Sequence, residues 1–198
     1  MKKQKVRKIV SLVLAVVMCS LLWLPAFAVE TQPRMTVTNG INIPTVGQGS
    51  GTNLCWAASG ASVTNYLKGT SYTANSFMSA VGGTNASIYP NQLKSHLSSM
   101  GVSSTLVSGT IIPSSLIINQ IDSGKPIIAL CDISGSNYAG TAHFVVIYGY
   151  TYNDTHSPDT MTIMYMDPAG SGSRQMKSYA NFTQDEWVMM SYLYNLSA

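Results

Sequence analysis

The sequence predicts an α+β fold in which a helical half packs against an antiparallel sheet. Between residues 52 and 124, apolar residues recur at steps of three and four, as they do on amphipathic helices. Between residues 126 and 167 the pattern changes to three β-rich apolar runs that are separated by loops. Helices that precede strands along the chain are typical of the α+β class, because the two kinds of element segregate there.

The first 28 residues form a predicted secretory signal. The basic segment MKKQKVRK precedes the apolar stretch IVSLVLAVVMCSLLWLP, and the small residues Ala26 and Ala28 fit a signal peptidase site. We therefore expect a secreted protein that starts near Val29 and has no membrane contact after cleavage. An uncleaved anchor is the alternative, because the apolar stretch approaches the roughly 20 residues that span a bilayer.

Removal of this segment changes the charge of the chain. The sequence has 11 basic and 8 acidic side chains, and five of the basic ones lie in the segment. The mature chain keeps six basic and eight acidic side chains, a formal charge of −2, so its charge gives no support for a nucleic-acid partner. We assign residues 29–47 to an extended lead-in and residues 48–198 to one domain, which we expect to be monomeric.

Four helices are predicted in the first half of this domain. Thr52 and Asn53 can cap a helix over CWAASGASVTNYL, where Gly60 suits close packing and Gly69 marks the end. Further helices are predicted in TANSFMSAV, in YPNQLKSHLSSMG with Pro90 near its start, and in PSSLIINQIDSG. A short strand, VSSTLVS, lies between the last two helices.

The strands of the predicted sheet follow these helices. They are PIIALCDI (126–133), AHFVVIYGY (142–150) and TMTIMYMD (160–167). AGSGSR (169–174) is predicted to be a surface turn, because it lacks the lysine pattern of a phosphate-binding loop. The tail is predicted to add a short helix over TQDEWVMM and a last strand over SYLYNLS.

Cys55 falls in the first turn of the first predicted helix, where a nucleophile would be favoured. A helix N-terminus stabilises negative charge, and the thiolate is the reactive form of cysteine. Such a thiol needs a base. His96 lies in a predicted amphipathic helix and His156 in the polar loop NDTHSPD, whereas His143 opens an apolar strand after a Gly-rich loop. That position combines access with fixed orientation, so His143 is the predicted general base.

Two further side chains complete the predicted catalytic group. Asp167 ends the next strand, where its carboxylate could accept the other imidazole N–H of His143 and orient the ring. Gln48 precedes Cys55 by seven residues with glycines between them, so its amide and the Cys55 backbone N–H could donate to an oxyanion. We expect no metal and no cofactor, because the sequence has no CxxC, HExxH or His-rich tract.

The segments GQGSGTNLCWAASGASVTNYL, KPIIALCDISGSNYAGTAHFVVIYGY and MYMDPAGSGSR resemble the papain-like cysteine peptidases. They are most similar to the compact bacterial members related to bacteriocin-processing peptidases and to effector peptidases of plant pathogens. The 88 residues between Cys55 and His143 favour this branch, since papain and the cathepsins have roughly 130–150. The resemblance implies a two-lobe fold, with Cys55 on the helical lobe and His143 and Asp167 on the sheet lobe.

This resemblance also implies a cleft between the lobes, Gln48 as oxyanion donor, and a peptide or protein as substrate. TNLCW replaces the CGSCW of plant papains, Gln48 lies one residue further from the cysteine, and Asp167 replaces an asparagine. Control of activity is open: the lead-in could be trimmed, or a separate protein inhibitor could act.

Two other functions are compatible with the same residues. The first is a secreted amidase or acyltransferase that uses the same site on cell-wall peptides. The second is a non-catalytic extracellular binding domain, because loss of Cys19 leaves Cys55 and Cys131, which could form a disulfide in an oxidising compartment. The redox state of Cys55 discriminates this domain from an enzyme.

Overall fold

A computed structural model describes residues 36–50, 52–109, 111–133, 142–153, 160–183 and 187–198. The predicted signal segment, the first part of the lead-in and His156 lie outside these ranges. Within these ranges, no helix is both long and apolar enough to cross a bilayer.

In the described residues, seven strands form one sheet in which every pair of neighbours is antiparallel. Six of them lie in the order β2-β7-β3-β4-β5-β6, and β1 pairs with the second half of β4. The predicted antiparallel sheet is therefore confirmed. The strands are β1 Thr36–Gly40, β2 Ser103–Ser108, β3 Ile127–Asp132, β4 Ala142–Asn153, β5 Thr162–Asp167, β6 Ser173–Ser178 and β7 Val188–Ser197.

Helices occupy the positions that the apolar periodicity predicts, with one addition. Gly69 ends the first helix in the left-handed conformation, at a φ of 63°. The second helix begins with a reciprocal cap, in which Thr73 Oγ1 accepts from the Ser76 N–H and Ser76 Oγ accepts from the Thr73 N–H. The helices are α1 Cys55–Lys68, α2 Ala74–Ala80, α3 Pro90–Ser99, α4 Ser114–Asp122 and α5 Tyr179–Thr183.

Two apolar clusters cover the two faces of the sheet. One joins α1, α2 and α3 to one face, and the other joins α4 and α5 to the opposite face. Alternate residues of β3 and β4 enter different clusters, so both strands are buried on both sides and read as continuous apolar runs. This arrangement confirms the predicted α+β class and places the N-terminus of α1 against the sheet.

The tail differs from the sequence prediction. A helix over TQDEWVMM is wrong in its last residues, because Val188–Ser197 forms β7 between β2 and β3. Val188 and Met190 are exposed while Met189 is buried, which is the period of a strand. β6 was not predicted, because SRQMKS is a polar edge strand with no apolar alternation.

The segment assigned to the lead-in takes part in the sheet and the core. Residues Thr36–Gly40 form β1, which pairs with β4. Ile43 is fully buried in the cluster that contains α1. The chain from residue 40 to residue 47 therefore lies on the sheet before it reaches Gln48.

Gly60 provides a test of packing on α1. A Cβ at this position would lie 2.7 Å from Cε1 of Phe77, whose buried ring packs edge-on against Trp56 and Tyr72. Overpacking of this kind costs about 1–3 kcal/mol, which exceeds the gain of about 1 kcal/mol for alanine over glycine in a helix. We expect Gly60→Ala to lower the free energy of unfolding, measured in urea, by roughly 1 kcal/mol.

The matched control replaces Phe77, whose ring leaves no room for a Cβ at residue 60. In a Phe77→Leu background the same substitution should be neutral or stabilising, because the shorter side chain leaves room for the new methyl group. Stabilisation by Gly60→Ala in the otherwise unchanged protein would contradict the packing described for α1.

Candidate active site

Cys55 is the first residue of α1. The two polar residues that precede Leu54 make hydrogen bonds outside the helix. The predicted cap is wrong: the N-cap is Leu54, which makes no side-chain cap hydrogen bond. Thr52 Oγ1 donates instead to the carbonyl of Gln48 at 2.6 Å, and the Asn53 N–H donates to Asn85 Oδ1 at 2.9 Å. The first-turn N–H groups, including that of Cys55, are thus left without a side-chain cap.

His143 and Asp167 meet through the pairing of two adjacent strands. Met166 of β5 lies opposite Val146 of β4, so the next residue, Asp167, falls opposite Val145. His143 is then its diagonal neighbour on the same face of the sheet, within reach of a long side chain. His143 Nε2 lies 2.8 Å from Asp167 Oδ1.

This pair has perturbed pKa values. Burial lowers the pKa of His143, but hydrogen bonds to Asp167 and Cys55 and the charges of both groups outweigh it and raise the pKa to about 9. Burial acts to raise the pKa of Asp167, but hydrogen bonds from His143 and from the Ala169 N–H hold it below its usual value. The geometry therefore favours an imidazolium beside a carboxylate.

The structure brings three of the four predicted residues together. His143 Nε2 lies 2.8 Å from Asp167 Oδ1, and the Cys55 thiol lies near enough to the imidazole to raise its pKa. Since Nε2 faces Asp167, Nδ1 is the nitrogen left to exchange a proton with the Cys55 thiol. Cys55 is partly exposed, so a substrate can reach its sulfur. The catalytic roles of these residues stay a prediction.

Gln48 lies on the loop before α1. Its Nε2 donates to the Thr52 carbonyl over a long 3.4 Å, and its buried Oε1 has no hydrogen-bond partner among the described residues. Within the same residues, Gln48 makes no hydrogen bond to Cys55 or His143. Its role as oxyanion donor therefore also stays a prediction.

A cleft of about 430 Å³ opens beside Cys55. One wall comes from the start of α1 and the loop before α3, and the other from β3 and β4. Among the described residues, those that line the cleft are neutral amino acids: Asn53, Cys55, Trp56, Ser87, Ile88, Leu130, Ala142 and Phe144. An extended chain with uncharged side chains near the sulfur would fit this cleft without burying an unpaired charge.

One wall of this cleft comes from the loop before α3, within residues 69–90, where the sequence leads us to expect determinants of cleft specificity. Asn85 accepts the Asn53 N–H, and the carbonyl of Ala86 accepts from Trp56 Nε1 at 2.9 Å. The loop is therefore tied to residues on both sides of Cys55. The sequence TNASIY resembles any polar loop, so only the tertiary contacts reveal how it is held.

The remaining candidate groups are structural. His96, on α3, stacks on Trp56 with ring centroids 5.3 Å apart, and burial lowers its pKa. Cys131 is a free thiol that is fully buried, and burial raises its pKa. The Cys55–Cys131 disulfide is not formed. In the part of the chain that the structure describes, no group of three His, Cys, Asp or Glu side chains is arranged to hold a metal.

Comparison with solved structures agrees with this fold. The chain is similar to a C39-like peptidase from Bacillus anthracis at 12% identity, with a TM-score of 0.52 over 80% of this chain and 97% of that one. It is similar to the peptidase domain of Streptococcus ComA, a bifunctional ABC transporter involved in quorum sensing, at 17% identity and a TM-score of 0.53, over 77% of this chain and 96% of that domain.

A third similar structure is a double glycine motif protease from an AMS/PCAT transporter, solved in complex with its leader peptide. The identity is 16% and the TM-score 0.50, over 82% of this chain and 96% of that one. Identities at this level support the fold alone. Among curated proteins, none matches the chain.

A family model extends the comparison from fold to family. The model described as the Peptidase_C39 like family matches residues 40–195, from the end of β1 into the last strand. The match includes every element that supports the cleft. It confirms the predicted relationship to the compact, bacteriocin-processing branch of the papain-like enzymes. The chain therefore belongs to the Peptidase_C39 like family and is a cysteine peptidase.

Proposed function

We propose that the protein hydrolyses peptide bonds with Cys55 as nucleophile, His143 as general base and Asp167 as the group that orients the imidazole. The observation that carries this proposal is the position of the His143 ring, which is hydrogen-bonded to Asp167 and lies near enough to the Cys55 thiol for the two to interact. A nucleophile next to a base that is held by an orienting group is the arrangement that acyl transfer requires.

In the proposed reaction, His143 takes the thiol proton of Cys55, and the thiolate attacks the carbonyl carbon of the substrate. The imidazolium then gives this proton to the leaving amine, and the C–N bond breaks as the thioester forms. Water loses a proton to the neutral imidazole, attacks the thioester and releases the acid, and the thiol regains its proton. Asp167 stabilises the imidazolium in both steps.

The negative charge that forms on the carbonyl oxygen needs donors. The Cys55 N–H lies in a first helical turn without a side-chain cap, so it is available for this purpose. We propose the side-chain amide of Gln48 as the second donor. Its Nε2 has a long hydrogen bond to the Thr52 carbonyl, which leaves a second N–H for the substrate.

The proposed substrate is a peptide that crosses the cleft in an extended form. The similar AMS/PCAT protease binds a leader peptide, which supports a peptide ligand for this chain. The uncharged lining of the cleft favours uncharged side chains next to the scissile bond. No observation in the described residues favours a cell-wall amide over a peptide.

We also propose that the protein is exported and that the segment up to Ala28 is removed. The basic start, the apolar stretch and the small residues at the cleavage site support this proposal. An exported peptidase would act on peptides outside the cytoplasm, where a free Cys55 must escape oxidation. Burial of Cys131 removes the other cysteine of the mature chain as a partner.

Substitutions at the three proposed catalytic residues should have graded effects. We expect Cys55→Ala to reduce peptide hydrolysis to background and His143→Ala to lower kcat/KM by roughly 10³-fold or more, because the two act as a unit. Asp167→Asn should cost less than either, because an amide oxygen can still accept the imidazole N–H. Cleavage of a peptide library by Cys55→Ala at the wild-type rate would refute the assignment.

The pKa of His143 leads to a prediction about pH. Because the folded pKa of about 9 exceeds the ordinary value of 6.5, the protonated imidazole stabilises the fold fully below pH 6.5 and progressively less as the pH rises through 9. We expect the NMR titration of His143 to have its midpoint near pH 9 and Asp167→Asn to lower that midpoint. A wild-type midpoint at 6.5 would contradict the pairing.

Intact-mass measurement of protein exported by a bacterial host tests secretion and thiol state together. We expect a chain that starts at Val29 and, without reductant, takes up one alkyl group when folded and two when unfolded. The difference arises because Cys55 is partly exposed whereas Cys131 is fully buried. A mass that retains Met1, or a chain that takes up no alkyl group after unfolding, would contradict export or the free thiols respectively.

A further inference from the structure

The loop that carries Gln48 is joined to the turn that follows Asp167. The Gln48 N–H donates to the Pro168 carbonyl at 2.7 Å, and the Gly49 N–H donates to the Gly170 carbonyl at 2.8 Å. These contacts connect two parts of the chain that are about 120 residues apart in sequence. The proposed oxyanion donor is thus held by short backbone hydrogen bonds, whereas its side chain makes, among the described residues, only the long one to the Thr52 carbonyl.

The close approach of the two segments requires Gly47. A Cβ on this residue would overlap the carbonyl group of Ser171 and lie 2.6 Å from the Gly170 oxygen. Gly47 does not have a left-handed φ, so space and not backbone conformation demands glycine here. Gly172 approaches from the other side, where its Cβ would lie 2.9 Å from the Gly47 nitrogen.

The same turn also contacts the other end of the site. The Ala169 N–H donates to Asp167 Oδ1 at 2.9 Å, and that oxygen accepts from His143 as well. Beyond the turn, Arg174 Nη2 donates to Asn42 Oδ1 and to the carbonyl of Ile43, both at 2.8 Å. The chain from residue 42 to residue 49 is therefore held at both ends by residues 168–174.

We propose that Gly47 is a positioning residue for catalysis: by letting its segment lie directly against the turn of residues 168–172, it fixes the position of Gln48, the proposed oxyanion donor. The inference rests on the proposed function, because it assigns Gln48 a part in that reaction. A side chain at residue 47 separates the two segments, which breaks the backbone hydrogen bonds of Gln48 and Gly49. Gln48 then no longer has a fixed place when the oxyanion forms.

The test compares peptide hydrolysis with alkylation of Cys55, since alkylation by iodoacetamide forms no oxyanion. We expect Gly47→Ala to lower kcat by roughly 10²-fold, because removal of one oxyanion donor costs about 10²- to 10³-fold. KM and the rate of alkylation should stay within about twofold of wild type, because Gln48 acts in the transition state. Gln48→Ala should give the same pattern.

A double-mutant cycle separates positioning from general damage. If Gly47 acts through Gln48, Gln48→Ala should cost little more once Gly47→Ala is present. Gly109→Ala is the matched control: Gly109 has a φ of 75°, no atom lies within 4 Å of its Cβ position, and it follows the edge strand β2. It should lower the thermal unfolding midpoint without changing kcat.

Arg174→Gln provides a second route if Gly47→Ala does not fold. It loosens the same segment at Asn42 and Ile43 without a steric clash, so it should lower kcat and be non-additive with Gln48→Ala. The inference would be overturned by full peptidase activity of both Gly47→Ala and Arg174→Gln. It would also be overturned if their losses in kcat were additive with that of Gln48→Ala, or if alkylation of Cys55 slowed as much as peptide hydrolysis. Absence of Cys55-dependent hydrolysis in the wild type would instead refute the proposed function, and this inference with it.

Discussion

The hydrogen bond between His143 and Asp167 is the interaction on which the proposed chemistry of this site depends. It exists because β4 and β5 pair in a register that makes the two side chains diagonal neighbours on one face. A shift of one residue would turn one of them to the opposite face, since side chains alternate along a strand. Continuous apolar packing on both faces of β4 therefore protects the register as well as the stability of the fold.

The two cysteines show how environment and not residue type decides reactivity. Cys131 is the register partner of His143 on β3, so its backbone lies directly opposite that of His143. It is nevertheless fully buried, and burial raises its pKa, which keeps the thiol neutral. Cys55 instead lies at a helix start without a side-chain cap, next to a histidine that the fold favours in its charged form.

Much of this arrangement could be predicted from the sequence, because the informative residues lie on strongly patterned elements. Cys55 opens a helix with clear apolar periodicity, and His143 and Asp167 bound apolar strands. β6 has no such pattern, since an exposed edge strand does not need apolar residues. The cap at Thr52 was wrong because a local rule cannot foresee that this hydroxyl bonds to the Gln48 carbonyl. The contacts of Asn85 likewise come from tertiary structure alone.

The polar features of the site share one physical property: each carries a cost to the stability of the fold, from a missing hydrogen bond or from the burial of a charge. The start of α1 has no side-chain cap, Gln48 Oε1 is buried without a partner in the described residues, and His143 is favoured as a buried cation. A missing helix cap alone costs about 1 kcal/mol, and an unsatisfied buried oxygen costs a similar amount or more. The apolar clusters on both sides of the sheet offset these costs. Close packing at the glycines at 47 and 172 then keeps the loop that carries Gln48 against its neighbour.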